Sequence, residues 1–161
     1  GRTVRSLTYL MKNYKDMKLF FVSPEIFRIN EDMREFLRAN NIYFEETTDF
    51  KSVMPKVDAI YMTRIQKEYA KDPSQEEDIY PDFHFTAQDL NNIQSHCIIM
   101  HPFPRRYEIE VDVDQDPRAA YWVQNGNGWG RRTARWLDIS GGDTRFMNNY
   151  KHIKQVQEDF F

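Results

Sequence analysis

The sequence has little of what would assign it to a specialised class of protein. Its single cysteine, Cys97, cannot form a disulfide within the chain, so a reducing compartment such as the cytoplasm is expected. No apolar run approaches the roughly 20 residues that a helix needs to cross a bilayer, so no membrane partner is expected. A nucleic-acid partner is not expected either, because 22 Lys and Arg face 25 Asp and Glu, a net charge of -3.

Two further absences concern the ends of the chain and metal binding. The chain opens with Gly1, Arg2 and Thr3 instead of methionine, which favours a fragment or a processed product. Its 161 residues fit a single domain. The four histidines show no metal-ligand spacing with Cys97 or with acids, so no metal site is expected.

Apolar periodicity predicts alternating helices and strands along most of the chain. Helices are predicted over 3–14, 30–41, 86–93 and 116–124, the last with Pro117 in its first turn, and a short helical turn over 49–57. Strands are predicted over 17–23, 42–48, 58–63 and 96–104. Continuous apolar strands alternating with helices indicate a mostly parallel sheet covered on both faces. We therefore expect an α/β fold, a three-layer αβα sandwich of the single-domain Rossmann-like type.

Long polar side chains follow the predicted strand over 58–63, in the sequence "MTRIQKE". Ligands of open parallel sheets bind at the carboxyl ends of the strands. Arg64 and Gln66 are two residues apart, so in an extended chain both lie on one side and could bind a carboxylate, with Glu68 holding the guanidinium. The alternative is a surface ion pair of Arg64 with Glu68, worth about 0 to 1 kcal/mol. The polar segment 65–85 is long for a plain connection, which is typical of functional loops.

The sequence "MHPFPRR" over 100–106 marks a second unusual strand end. Proline is confined to edges or ends of strands, and the Phe103–Pro104 bond could be cis, which would turn backbone carbonyls toward a ligand amine. The alternative is that the prolines only terminate the strand. His101 taken alone is typical of a core histidine. A third cationic group, Arg2, opens the first helix.

These motifs together resemble one known family. The chain is similar to the C-terminal, aspartate-binding half of aspartate carbamoyltransferase in "GRTVRSL" (1–7), "YMTRIQKE" (61–68), "MHPFPR" (100–105), "EI" (108–109) and "DVDQDPRAAY" (112–121). The resemblance covers 1–137, expected to be the aspartate/ornithine-binding domain, and leaves 138–161 as an extra C-terminal tail. The pair "MTRIQKE" and "HPFPR" disfavours the related ornithine enzyme.

The resemblance implies a role for each matching residue. Arg2, with Thr3 nearby, would contact the α-carboxylate of L-aspartate, and Arg64 with Gln66 would receive the β-carboxylate. Substrate-binding carbonyls would belong to Pro102 and Phe103. Supporting positions would be Glu68, which orients Arg64, together with Pro104, after a cis peptide bond, and Arg105. The loop over 65–80 would close on the substrate.

The resemblance also implies the reaction and its partners. The family transfers the carbamoyl group of carbamoyl phosphate to aspartate in pyrimidine synthesis, without cofactor or metal, and complete chains are expected to form homotrimers. The phosphate-binding N-terminal domain has no counterpart in this sequence, so no catalytic residue and no turnover are expected from the chain by itself. The alternative is a non-catalytic relative that serves as a structural or interaction subunit, which the altered segment after Val123 and the new tail would fit.

Overall fold

The computed structural model describes residues 2–64 and 83–128. Contacts divide the chain into two compact units, Gly1–Ala119 and Ala120–Phe161. The elements of the first unit are α1 (Arg2–Met11), β1 (Lys18–Val22), α2 (Glu31–Ala39), β2 (Tyr43–Thr47), α3 (Phe50–Val53), β3 (Ala59–Tyr61) and β4 (Ile98–Met100). Short 3-10 helices span Glu25–Phe27, Met54–Lys56, Ala87–Asn91 and Val111–Gln115. In the second unit, residues 121–128 are helical.

Parallel strand pairs form the framework of the first unit. β1 pairs with β2 in the register Lys18 to Tyr43 through Val22 to Thr47. β3 pairs with β4 in the register Ala59 to Ile98 through Tyr61 to Met100. Parallel neighbours need a crossover connection, and α2 supplies it between β1 and β2. The predicted α/β fold with parallel strands is therefore confirmed.

Apolar residues at helical spacing give α2 its buried face. Met33 and Leu37 lie one turn apart and pack with Ile42 in a core to which α1 contributes Tyr9. The Tyr9 and Phe36 rings meet edge to face with centroids 4.5 Å apart. Asn30 is at the predicted N-cap, but its side chain makes no capping hydrogen bond. Side-chain packing therefore holds this helix in place.

A second set of buried apolar residues surrounds β3 and β4. Ile60 and Ile99 are opposite each other in the register and both are buried. Phe85 forms an isolated parallel bridge with Ile109, and both side chains are buried. The buried apolar residues here are Phe50, Val53, Met54, Ile60, Met62, Phe85, Ile93, Cys97, Ile99, Ile109, Val113 and Ala119. This packing fixes the strand ends from which the candidate site extends.

The helix predicted over 116–124 is wrong in its first half. Helical backbone begins at residue 121, and Ala119 instead forms a parallel bridge with Ile99, whose N–H donates to the Arg118 carbonyl at 2.8 Å. The Asp116 side chain accepts the Arg118 N–H at 2.8 Å, a local turn that competes with helix formation. The backbone at this point extends the β4 edge, so Pro117 lies before the helix and not in its first turn.

Two other predicted elements are shorter or tighter than expected. The predicted helix over 86–93 is a 3-10 helix, Ala87–Asn91, closed by a capping box between Thr86 and Asp89. The strand predicted over 96–104 ends at Met100. Among residues 2–64 and 83–128, every helix is too short or too polar to cross a bilayer.

Candidate functional site

The carboxyl ends of β3 and β4 lie side by side. Tyr61 and Met100 are register partners at the ends of the two strands, and the Met62 N–H donates to the Met100 carbonyl at 2.9 Å. Arg64 follows β3 by three residues, and Phe103 follows β4 by three residues. The two polar strand ends that the sequence singles out therefore leave the sheet next to each other, as ligand-binding segments of parallel sheets do.

Arg64 is partly buried at this edge. Within the described residues no hydrogen bond or ion pair engages its guanidinium. Gln66 and Glu68, and with them the loop over 65–80, lie outside the described residues, so the predicted receptor pair and its supporting carboxylate stay predictions. An arginine beside a strand end supplies a planar fork of donors that suits a carboxylate.

A sharp backbone bend follows β4. The Phe103–Pro104 peptide bond is cis, as predicted, and Phe103 has a φ of 49°. For a bulky residue that conformation costs about 1–3 kcal/mol, so the surroundings must hold it. The side chain of His101 does so in part: its Nδ1 accepts the Phe103 N–H at 2.9 Å. Pro102 and Phe103 are partly buried, and Pro104 is exposed.

Glu108 binds the other nitrogen of the same imidazole. Its Oε1 lies 2.7 Å from His101 Nε2, and the two side chains are only 4% and 1% exposed. Oε2 of Glu108 accepts the Arg106 N–H at 3.3 Å. Burial by itself would raise the pKa of Glu108, but the hydrogen bonds from His101 and the Arg106 backbone outweigh it and lower that pKa. Glu108 is therefore an ionised acceptor that spans the bend.

Arg105 closes the bend from the other side. Both of its terminal nitrogens donate to the carboxylate of Asp114, with Nη2 and Oδ2 2.8 Å apart. The pair is largely buried, which favours a structural role for Arg105, and its supporting role at the ligand stays a prediction.

Arg2 and Thr3 are exposed in the first turn of α1. Among the described residues, no hydrogen bond or ion pair joins them to Arg64 or to the bend. Their convergence with Arg64 on one ligand stays a prediction.

His101 and Glu108 are the functional candidates that sequence reasoning did not assign. The histidine was expected in the core, and it is buried, but its two hydrogen bonds give it a second task. The segment between His101 and Glu108 contains two prolines and is neither helix nor strand, so only the fold reveals the pair. Within the part of the chain that the structure describes, no group of three His, Cys, Asp or Glu side chains could hold a metal ion.

Comparisons with known proteins identify the family of the chain. The family model "Aspartate/ornithine carbamoyltransferase, Asp/Orn binding domain" matches residues 1–134. Aspartate carbamoyltransferase 1, chloroplastic, of Pisum sativum is 43% identical over 129 residues, which are 80% of this chain and 33% of that protein. The aspartate carbamoyltransferase catalytic subunit of Clostridium botulinum (strain Eklund 17B / Type B) is 40% identical over 142 residues, 88% of this chain and 46% of that one.

The chain also resembles solved structures in its fold. The catalytic subunit of M. jannaschii aspartate transcarbamoylase superposes with a TM-score of 0.77 at 35% identity, over 89% of this chain and 47% of that one. Trypanosoma cruzi aspartate transcarbamoylase in complex with carbamoyl aspartate and phosphate gives a TM-score of 0.68 at 32% identity, over 77% of this chain and 40% of that one.

The chain belongs to the aspartate/ornithine carbamoyltransferase family and contains its Asp/Orn binding domain. Within that family its relatives are aspartate carbamoyltransferases, so the domain is the aspartate-binding one. The chain spans a third to just under half of the length of these relatives.

Proposed function

We propose that this chain binds L-aspartate as one half of an aspartate carbamoyltransferase. The observation that carries the proposal is the neighbouring exit of Arg64 from β3 and of the His101–Arg105 bend from β4. In the proposed reaction the α-amine of aspartate attacks the carbonyl carbon of carbamoyl phosphate. N-Carbamoyl-L-aspartate forms, phosphate leaves, and the amine loses a proton.

Aspartate is selected by its two carboxylates in this proposal. Arg64 and Gln66 bind the β-carboxylate, and Glu68 orients the guanidinium. Arg2, with Thr3 beside it, contacts the α-carboxylate. Charge-assisted hydrogen bonds to a carboxylate are stronger than neutral ones, and a planar guanidinium fixes the direction of the diacid as well as its charge.

The backbone carbonyls of Pro102 and Phe103 bind the nitrogen groups. They accept hydrogen bonds from the aspartate amine and from the carbamoyl amide, and so hold the attacking nitrogen near the carbonyl carbon. Catalysis of this kind rests on positioning and on electrostatic stabilisation of a tetrahedral intermediate, so no cofactor or metal is required.

Turnover requires a carbamoyl-phosphate-binding domain, which lies in the part of the relatives that this chain does not match. By itself the chain binds aspartate weakly and does not turn over. In the complete enzyme we propose a homotrimer and a role in de novo pyrimidine synthesis. The cytoplasm is the proposed compartment, on the strength of the single cysteine, although the plant relatives are named chloroplastic.

Calorimetry tests the proposal. The chain is measured alone and as the joined protein, by which we mean the chain fused behind the amino-terminal region of the Pisum sativum relative. The ligand is N-(phosphonacetyl)-L-aspartic acid, which the Trypanosoma cruzi enzyme binds in a solved structure. We expect binding by the joined protein, together with formation of carbamoyl aspartate. A folded joined protein that binds neither this ligand nor aspartate would favour a non-catalytic relative instead.

A further inference from the structure

A buried hydrogen-bonded chain runs from Glu108 through His101 to the backbone of the bend. Glu108 Oε1 lies 2.7 Å from Nε2 of the imidazole, and Nδ1 lies 2.9 Å from the Phe103 nitrogen. Neither side chain belongs to the substrate contacts of the proposed function. A buried carboxylate is costly unless it is hydrogen-bonded, and here both oxygens of Glu108 have partners.

The hydrogen bonds define the state of the imidazole. The Phe103 N–H can only donate, so Nδ1 of His101 must be unprotonated. A neutral imidazole then carries its proton on Nε2 and donates it to the carboxylate of Glu108. The carboxylate thus selects the one tautomer that leaves Nδ1 able to accept from Phe103.

Glu108 is itself anchored to the core. Its backbone carbonyl accepts the N–H of the buried Phe85 at 2.9 Å, and the Phe85 carbonyl accepts the Glu110 N–H at 2.9 Å. Its second carboxylate oxygen accepts the Arg106 N–H. One anchored side chain therefore holds the ring of His101 at the start of the bend and the backbone of Arg106 at its end.

We propose that His101 and Glu108 are positioning residues, which fix the carbonyls of Pro102 and Phe103 for the nitrogen groups of the ligands. This inference rests on the proposed function. The Phe103 N–H bond sets the peptide plane between Pro102 and Phe103, and with it the direction of the Pro102 carbonyl. Glu108 acts only through His101 and the Arg106 backbone.

A purely structural role would have different consequences for two related ligands. L-Aspartate has an amine for the carbonyls of the bend and two carboxylates for the arginines. Succinate has the same two carboxylates and no nitrogen. Misdirected carbonyls would therefore weaken the binding of aspartate and leave the binding of succinate unchanged, whereas a general loss of structure would weaken the binding of both.

The experiment compares three variants of the joined protein. His101→Leu removes both ring hydrogen bonds. Glu108→Gln has one acceptor oxygen for two donors: with that oxygen on the Arg106 N–H, its amide N–H donates to Nε2 and favours the Nδ1–H tautomer, which cannot accept from Phe103. His101→Asn keeps an acceptor on Cγ for Phe103 and is the conservative rescue. Asp89→Asn is the control, since Asp89 is also 4% exposed and hydrogen-bonded, through contacts with Lys51 and Thr86.

Each variant is titrated with aspartate and with succinate, both with inorganic phosphate present so that no turnover occurs. His101→Leu and Glu108→Gln are expected to lower the affinity for aspartate about tenfold, which is the loss expected for one hydrogen bond to a charged group. The affinity for succinate should change less than about twofold. His101→Asn should regain most of the aspartate affinity. Asp89→Asn should lower thermal stability and leave the ratio of the two affinities unchanged.

The 15N spectrum of the histidine rings gives a readout that does not depend on binding. In the unsubstituted 161-residue chain, His101 should be the Nε2–H tautomer, and Glu108→Gln should bring in the other tautomer. Equal losses for aspartate and succinate, unchanged aspartate affinity in both variants, or an Nδ1–H ring would overturn the positioning role alone. Failure of the unsubstituted joined protein to bind aspartate would overturn the proposed function, and the inference with it.

Discussion

Lys51 and Asp89 are 38 residues apart in the sequence, and Lys51 Nζ lies 2.6 Å from both carboxylate oxygens of Asp89. The carboxylate is buried and also accepts the N–H and the hydroxyl of Thr86 at 2.8 Å and 2.9 Å. One charged group thereby ties α3 to the start of the 3-10 helix Ala87–Asn91. The stability of the unit should therefore depend on this ion pair.

Lys51→Met should destabilise the chain by about 1–2 kcal/mol at neutral pH, because it leaves a buried carboxylate with one partner fewer. Chemical unfolding in urea measures the loss. Lys56→Met is the control, since Lys56 is exposed and makes no hydrogen bond or ion pair among the described residues. Equal losses in the two variants would contradict a specific role for Lys51.

The same pair predicts how stability depends on pH. Burial by itself would raise the pKa of Asp89, but the hydrogen bonds from Lys51 and Thr86 hold it below its ordinary value of 3.8. A folded-state pKa below the unfolded one gives stability that is full above the unfolded pKa and is lost as pH falls through the folded pKa. Lys51→Met removes one of these bonds and brings the folded-state pKa closer to the unfolded one, so this variant should lose less stability on acidification than the parent chain. Urea midpoints at pH steps from neutral to about 3 test this, with Lys56→Met again as the reference.

The core around α2 predicts a larger loss. Leu37 is completely buried against Met33 and Ile42, so Leu37→Ala should cost about 2–5 kcal/mol through lost contacts and the cavity that remains. Ile26 is 65% exposed, and Ile26→Ala should change the free energy of unfolding by less than about 0.5 kcal/mol. Urea denaturation distinguishes the two. A small loss at Leu37 would mean that the core around α2 is not packed as described.

Local sequence was sufficient for the positions of the strands and of the bend. The apolar runs around Leu19, Ile60 and Ile99 predicted three of the four strands because parallel strands are buried on both faces. The proline pattern around Phe103 allowed a cis bond, because only an X-Pro bond adopts it at low cost, and the family resemblance predicted it. Those signals act over a few residues, a range in which side-chain chemistry determines the backbone conformation.

Signals that depend on tertiary structure were missed or misread. Asp116 and Pro117 are a typical helix start, yet the backbone there bridges to Ile99 because β4 offers an unpaired edge. The pairing of His101 with Glu108 requires the chain to turn back on itself, which no periodicity reports. The receptor role of Arg64 stays a prediction, because Gln66 and Glu68 lie outside the described residues.

Arg64 gives a prediction about ligand selectivity that rests on the proposed function. Arg64→Lys keeps the positive charge and loses the planar fork, so the joined protein should bind L-aspartate about tenfold more weakly. Arg28→Lys is the matched control, because Arg28 lies in the β1–β2 part of the unit and pairs with Glu25 on the surface. Calorimetry measures both. Unchanged aspartate affinity in Arg64→Lys would remove Arg64 from the carboxylate site.

The hydrogen bonds of Asp116 predict that its removal would locally open the backbone pairing between Ile99 and Arg118. Its carboxylate accepts the Arg118 N–H and two guanidinium N–H groups, so it holds the turn that places the Arg118 carbonyl 2.8 Å from the Ile99 nitrogen. Asp116→Ala should therefore speed amide hydrogen exchange at Ile99 by local opening. The Met62 amide, bonded to the Met100 carbonyl on the opposite edge of β4, is the internal reference and should change only if global stability falls. Parallel acceleration of both amides would show that Asp116 stabilises the whole unit and not this edge, because local opening would leave Met62 protected.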